Sequence, residues 1–306
     1  MVDRQRIVWV VGASSGIGAA TARLASERGY HVVLSSRDRE ALADVASTLA
    51  GPSDVLPLDV TAPAAVRDAL ADVLGSHGHL DAVVLTAQTM AYGRIEDVPE
   101  EVFSSVVDVA THGTANVARA VLPAFRAAGR GTLVVVNSLV GEVAVPKLGT
   151  YACAKWGQLG LARSLQLEVR DERDVHVCIV SPGAIDTPIY QQAADYAGQA
   201  GHPPPPVLPA GTMAEAVLRC LRHPRRHVEV GPANVLTVLG FRLMPWLYDR
   251  IVGRLVELVI FRGAPTPDTS GNVLTPAPSL EAESGGWTTF ARRRRPLAAH
   301  ATKARS

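Results

Sequence analysis

A serine, a tyrosine and a lysine stand at positions 138, 151 and 155, and their types and spacing are those of a proton-transfer site. Tyr151 and Lys155 are four residues apart, so on a helix they face the same way. A phenol alone has a pKa of about 10 and relays protons slowly at neutral pH, whereas an ammonium within a few ångströms lowers that value by about 1–3 units. Tyr151 would then serve as a general acid or base. Ser138 ends the apolar run Gly131-Thr-Leu-Val-Val-Val-Asn-Ser, which reads as a buried strand. Strand ends in open α/β sheets are where ligands meet the protein, and a hydroxyl there can hydrogen-bond a substrate carbonyl.

These three residues need a scaffold, and the N-terminus supplies its first unit. The apolar strand Ile7-Val-Trp-Val-Val leads into Gly12-Ala-Ser14-Ser15-Gly16-Ile17-Gly18 and then an alanine-rich helical stretch to about Gly29. Glycines in such a loop let the backbone turn tightly and approach a pyrophosphate, whose charge rests on the amides and dipole of the helix start. With Ser138, Tyr151 and Lys155 downstream, the chain resembles the short-chain dehydrogenase/reductase superfamily over roughly residues 6 to 230. The resemblance implies a Rossmann-type fold and an oxidoreductase that moves a hydride between a nicotinamide cofactor and a carbonyl or secondary alcohol. The order of strand and helix patterns gives the same α/β class: one doubly wound sheet of seven parallel strands with right-handed crossovers.

Further positions follow from the resemblance. Asp59 and Val60, at the close of the third strand, correspond to residues that touch the adenine, although Asp59 also reads as a helix cap before Pro63. Ala87 lies in the segment beside the cofactor. Pro182, Gly183, Ile185 and Thr187 follow the strand Val175-His-Val-Cys-Ile-Val and match the segment beside the nicotinamide. Cofactor choice is argued from charge at the end of the second strand. Where a free ribose hydroxyl is held, an acidic residue stands about 20 residues past the glycines; here Ser36 takes that place, and Arg37 follows with a guanidinium suited to a 2′-phosphate. NADP(H) is therefore expected over NAD(H), with Asp38 as the cap of the next helix or, alternatively, the ribose partner.

Two departures from the family pattern bear on turnover. Leu85-Thr86-Ala87-Gln88 stands where the family has Asn-Asn-Ala-Gly, and Ala110 stands where it has an asparagine that holds a water between the lysine and solvent. Proton resupply is then expected through helix carbonyls, Thr111 or another water path, and Asn116 is expected to be structural. A cofactor-binding regulatory or scaffold protein is the rival reading these departures motivate.

The chain has 306 residues, 47% of them apolar, and a formal net charge of +1. That is enough for one large domain with no bulk charge to recruit nucleic acid. Cys153, Cys178 and Cys220 lack metal-ligand spacing and read as reduced residues of a cytoplasmic protein. The nine histidines are expected to form no ligand cluster. Residues 1–231 are assigned to the catalytic domain, with a substrate lid at about 188–210 stiffened by Pro203-Pro-Pro-Pro206. Residues 232–261 form an apolar extension read as two short helices. They would cover the pocket, pair copies into a homo-dimer or tetramer, or touch a membrane surface through 234–260, where Trp246 and Tyr248 lie among arginines. Residues 262–306, with Arg292-Arg-Arg-Arg295, are expected to form a disordered tail. Tyr92, Val140, Leu148, Ile189 and Tyr190 favour a hydrophobic alcohol or ketone as substrate.

Overall fold

The computed structural model describes residues 4–288. Seven parallel strands form the central sheet: β1 (Ile7–Val11), β2 (His31–Ser35), β3 (Ser53–Val55), β4 (Ala82–Leu85), β5 (Gly131–Val136), β6 (Val175–Pro182) and β7 (His227–Val230). Their order is β7-β6-β5-β4-β1-β2-β3. Strands β1 and β5 are buried along their whole length, as continuous apolar runs must be when both faces of a sheet are covered. Alternation divides the side chains between two cores: Trp9, Val33 and Leu133 face one layer of helices, and Val8, Val10, Leu34 and Val134 the other. The order reverses between β1 and β4, which opens a crevice at the carboxyl ends of the strands.

The helices of the two layers are α1 (Gly16–Glu27), α2 (Arg39–Ser47), α3 (Pro63–His77), α4 (Glu100–Ala128), α5 (Gly149–Glu168) and α6 (Ala210–Arg222). The turn from β1 into α1 closes only with glycine, because a Cβ on Gly18 would lie 1.9 Å from the Gly12 carbonyl oxygen. The third strand ends earlier than its sequence pattern predicts. Pairing of β3 with β2 stops at Val55, and Leu58–Val60 continues as irregular chain along the crevice.

The C-terminal extension is a helical hairpin, α7 (Asn234–Leu243) and α8 (Pro245–Val259), as the interrupting proline and charges predict. Among the described residues no helix is long and apolar enough to cross a membrane. The hairpin leaves Leu236, Leu243, Trp246 and Leu258 each at least 70% exposed.

The expectation of a disordered tail from residue 262 is corrected up to residue 288. This segment builds no core of its own, but it borrows partners from the domain. Asp195 and Thr269 exchange backbone hydrogen bonds, Asn272 donates to the Gln192 carbonyl, and Val273 is fully buried in a cluster with Val102, Val106 and Ala194. Arg292–Arg295 lie outside the described residues.

Candidate active site

The sheet brings Ser138, Tyr151 and Lys155 together. Ser138 follows β5, Tyr151 and Lys155 lie one turn apart on the inner face of α5, and all three are buried. The Ser138 hydroxyl accepts from the Val140 amide at 3.2 Å and lines the same cavity as Tyr151, and the Lys155 Nζ sits 5.9 Å from the centre of the Tyr151 ring. Burial pushes the phenol up to about 12, opposed by the neighbouring Ser138 hydroxyl. Burial also lowers the Lys155 ammonium to about 7. The expectation that the ammonium draws the phenol down is therefore not met here. Lys155 Nζ turns instead to the Val136 carbonyl at 3.0 Å and to Gln158 Oε1 at 2.8 Å, so desolvation governs both groups.

That lowered value makes stability pH-dependent with a definite sign. The unfolded chain holds the lysine proton up to about 10.4, whereas folding releases it from about 7 upward. In that window the unfolded state binds more protons, so the Lys155 contribution to stability rises with pH. Lys155→Met removes it. In thermal melts from about pH 6 to 10, wild type is expected to gain on the variant steadily above about pH 7; a pH-independent difference would show that the ammonium is not buried as described.

Gln158 is the functional-site residue that the sequence reading missed. Three residues beyond Lys155 on the same helical face, it is 1% exposed. Its Oε1 accepts from Lys155 and from Asn137 Nδ2 at 3.2 Å, while its Nε2 donates to Thr114 Oγ1 at 3.0 Å. A polar residue on the buried stripe Tyr151-Lys155-Gln158-Ala162 was the available signal. Thr111 is engaged elsewhere, donating to the Val107 carbonyl, and Asn116 donates to the Val60 carbonyl, a structural contact.

Two cavities meet at this place. One, of about 910 Å³, is predominantly lined by apolar side chains from the β5 end, α5, Pro204–Pro206 and the α7–α8 hairpin, with Ser138, Tyr151, Lys155, Pro182, Gly183 and Ile185 on its wall. The other, of about 150 Å³, lies along the glycine-rich turn and collects Gly12, Ser14, Ser15, Gly16, Arg37, Asp59, Val60 and Ala87. Ile17, Thr86, Gln88 and Thr187 border both. Gln88 Oε1 is buried at that border without a hydrogen-bond partner, so the site has an acceptor ready for a polar ligand. A dinucleotide fits this donor set: amides of the glycine turn at one end, an unpaired amide oxygen at the junction and a buried lysine beyond it.

Charged side chains at the β2 end of the cleft have partners of their own. The Asp38 carboxylate caps α2, accepting from the Glu40 and Ala41 amides at 2.9 and 3.1 Å. Asp59 accepts from the amide and hydroxyl of Thr61 and lines the cleft as well. Arg37 reaches the cleft wall and donates to the carbonyls of Val273 and Asn272 at 3.2 and 2.7 Å.

Three of the histidines do converge with carboxylates, although the expectation concerned ligand clusters. Residues far apart in sequence converge in two sets, His31 and His77 on Asp54 and His227 between Glu142 and Glu229. Side-chain hydrogen bonds hold His31 and His77 to Asp54, His227 lies 3.0 Å from Glu229, and neither set lines the two cavities.

Comparison with known proteins agrees with this geometry. Residues 6–197 match the family model described as short chain dehydrogenase. An oxidoreductase of Bacillus subtilis is 31% identical over 265 residues, covering 84% of this chain and 73% of the relative. A short-chain dehydrogenase from Streptomyces avermitilis superposes with a TM-score of 0.70 at 25% identity, over 82% of this chain and 98% of that one. A metagenomic short-chain oxidoreductase solved in complex with NADP does so with a TM-score of 0.62 at 27% identity, over 74% of this chain and 95% of that one.

Proposed function

The chain belongs to the short-chain dehydrogenase family and is a nicotinamide-dependent oxidoreductase, and we propose that it reduces the carbonyl, or oxidises the secondary alcohol, of a hydrophobic small molecule with NADP(H). The observation that carries this reading is the convergence of Ser138, Tyr151 and Lys155 on the wall of a large apolar cavity that joins the glycine-lined cleft. Its volume of about 910 Å³ lies near the upper end of the range for small-molecule sites, about 300–1,000 Å³.

The residues of the glycine turn and Lys155 would hold a nicotinamide dinucleotide, which when bound would supply the hydride. In the reductive direction the Ser138 hydroxyl donates a hydrogen bond to the substrate carbonyl oxygen and polarises it. Tyr151 gives its phenolic proton to that oxygen as the alkoxide forms, a downhill transfer because an alkoxide is far more basic than a phenolate. Lys155 stands beside the phenol and, when protonated, offsets the phenolate left behind. Asp38 is committed to its helix cap, which leaves Arg37 as the partner for a 2′-phosphate and favours NADP(H) over NAD(H).

Purified protein incubated with NADPH and a graded series of ketones tests the proposal. Turnover is expected to rise with apolar bulk until the cavity is filled; oxidation of NADPH by none of them would favour a scaffold protein.

A second reading, a membrane-peripheral enzyme for lipid-like substrates, is favoured by one observation. Leu236, Met244, Ile251 and Leu255 line the cavity and are also solvent-exposed, so an apolar path runs from the surface to Tyr151. Cofloatation with anionic liposomes that weakens with salt is its expected signature. Protein that stays out of the liposome fraction under all salt conditions restricts the hairpin to covering the pocket or pairing copies.

A further inference from the structure

We propose that Gln158 is a positioning residue for proton transfer, a role that rests on the assignment of Tyr151 and Lys155 above. A buried lysine whose ammonium is destabilised by burial must be given acceptors or it will lose its proton or its place. Lys155 Nζ has two acceptors, the Val136 carbonyl and Gln158 Oε1, and only the second is a side chain. Gln158 is itself fixed from three directions: Asn137 donates to the same oxygen, and its Nε2 donates to Thr114 Oγ1 and, at 3.4 Å, to the Ala110 carbonyl. The amide can take only one orientation, because a flipped Nε2 would confront two donors. Gln158 therefore links α5 to α4 and fixes where the ammonium stands, 5.9 Å from the centre of the Tyr151 ring.

The test is Gln158→Met, which keeps length and volume but removes the acceptor, against Gln158→Glu, which restores one. Gln158→Met is expected to lower kcat about tenfold or more while KM for the carbonyl substrate changes less than threefold, and Gln158→Glu is expected to recover most of the loss. A merely structural glutamine would lower the melting temperature without moving kcat of the folded fraction, and that result overturns the proposal. So does a Glu variant no better than Met. Loss of turnover in Tyr151→Phe is the separate control on the assignment itself.

A different set of contacts carries a second inference. We infer that the C-terminal segment 270–288 is an intramolecular occupant of the cofactor cleft that must move before a dinucleotide can seat. The amide of Gly16, at the start of α1 where a pyrophosphate would rest, donates to the Ala282 carbonyl at 2.8 Å. Arg37 is held by the Asn272 and Val273 carbonyls, and Glu283 pairs with Arg23. With the segment in place the cleft holds about 150 Å³, below the roughly 300 Å³ at which small-molecule sites begin. A protein whose binding-competent form is a fraction of the population binds with an affinity reduced by that fraction.

Two full-length variants test this strap. Gly271 has φ +52°, and a Cβ there would lie 2.2 Å from the Gln192 carbonyl oxygen, so Gly271→Val should unseat it. Glu283→Arg should do so through repulsion from Arg23. In NADPH fluorescence titrations both are expected to bind at least about threefold more tightly than wild type, and NADP⁺ is expected to speed tryptic cleavage at Arg262 in the wild-type chain. Unchanged or weaker NADPH binding by both variants overturns the strap while leaving the cofactor assignment standing. Failure of wild type and variants alike to bind NADPH overturns both.

Discussion

Replacing Tyr151 with phenylalanine is expected to lower turnover by about 10²–10⁴-fold, the range a positioned general acid contributes, while NADPH affinity stays within about twofold. The ring is kept, so the packing of Tyr151 beside Met90, Tyr92 and Leu148 survives. What is lost is the phenolic hydroxyl on the wall of the cavity that Ser138 also lines. The phenol is held near 12 by burial in this structure, which makes it a poor free acid at neutral pH but leaves it competent toward a forming alkoxide. Its contribution therefore appears in kcat, with little change in ground-state binding. Single-turnover measurements with NADPH and a reducible ketone separate the two. Wild-type rates in the Phe variant would assign proton transfer to another group, and Ser138 would then have to act without its partner.

The scaffold was legible because its signals are local. Strand β1, the glycine turn and the start of α1 form one continuous stretch, and the four-residue spacing of Tyr151 and Lys155 needs only a helix to become a site. Gln158 was harder to see because its importance lies in partners on another helix and in the turn after β5. Nothing in the sequence near Ala110 shows that Thr114 and Asn137 meet a side chain from residue 158. The electrostatics were misjudged for a related reason. Spacing placed Lys155 beside Tyr151 but said nothing of the Val136 carbonyl that draws the ammonium away, and desolvation then moved both groups opposite to the effect of a close ion pair. The C-terminal segment has too little apolar content to build a core alone, and its one fully buried apolar side chain among the described residues, Val273, joins a cluster of the domain. Its described residues are held by backbone hydrogen bonds to groups already present on the domain, a long-range arrangement that composition does not record.

Arg37→Ala is expected to weaken NADPH binding by about 10- to 150-fold relative to NADH, since a hydrogen bond to a charged group is worth about 1.5–3 kcal/mol and each 1.4 kcal/mol is tenfold. The ratio of the two cofactors is the quantity to measure, because this guanidinium has two roles in the structure. It lies on the wall of the cleft, where a 2′-phosphate would be recognised, and it also holds the carbonyls of Asn272 and Val273. Removing it loosens the C-terminal segment, which favours both dinucleotides equally. It also removes the phosphate partner, which penalises NADPH alone. A net change in NADPH affinity could therefore be small while the preference collapses. Dissociation constants for both cofactors, measured on wild type and variant under one salt condition, separate the effects, because exposed charge interactions are screened. If the ratio is unmoved, Arg37 serves the C-terminal segment alone. A wild-type preference for NADH would instead require the Asp38 carboxylate to leave the α2 cap, where it accepts two backbone amides, to reach a ribose hydroxyl.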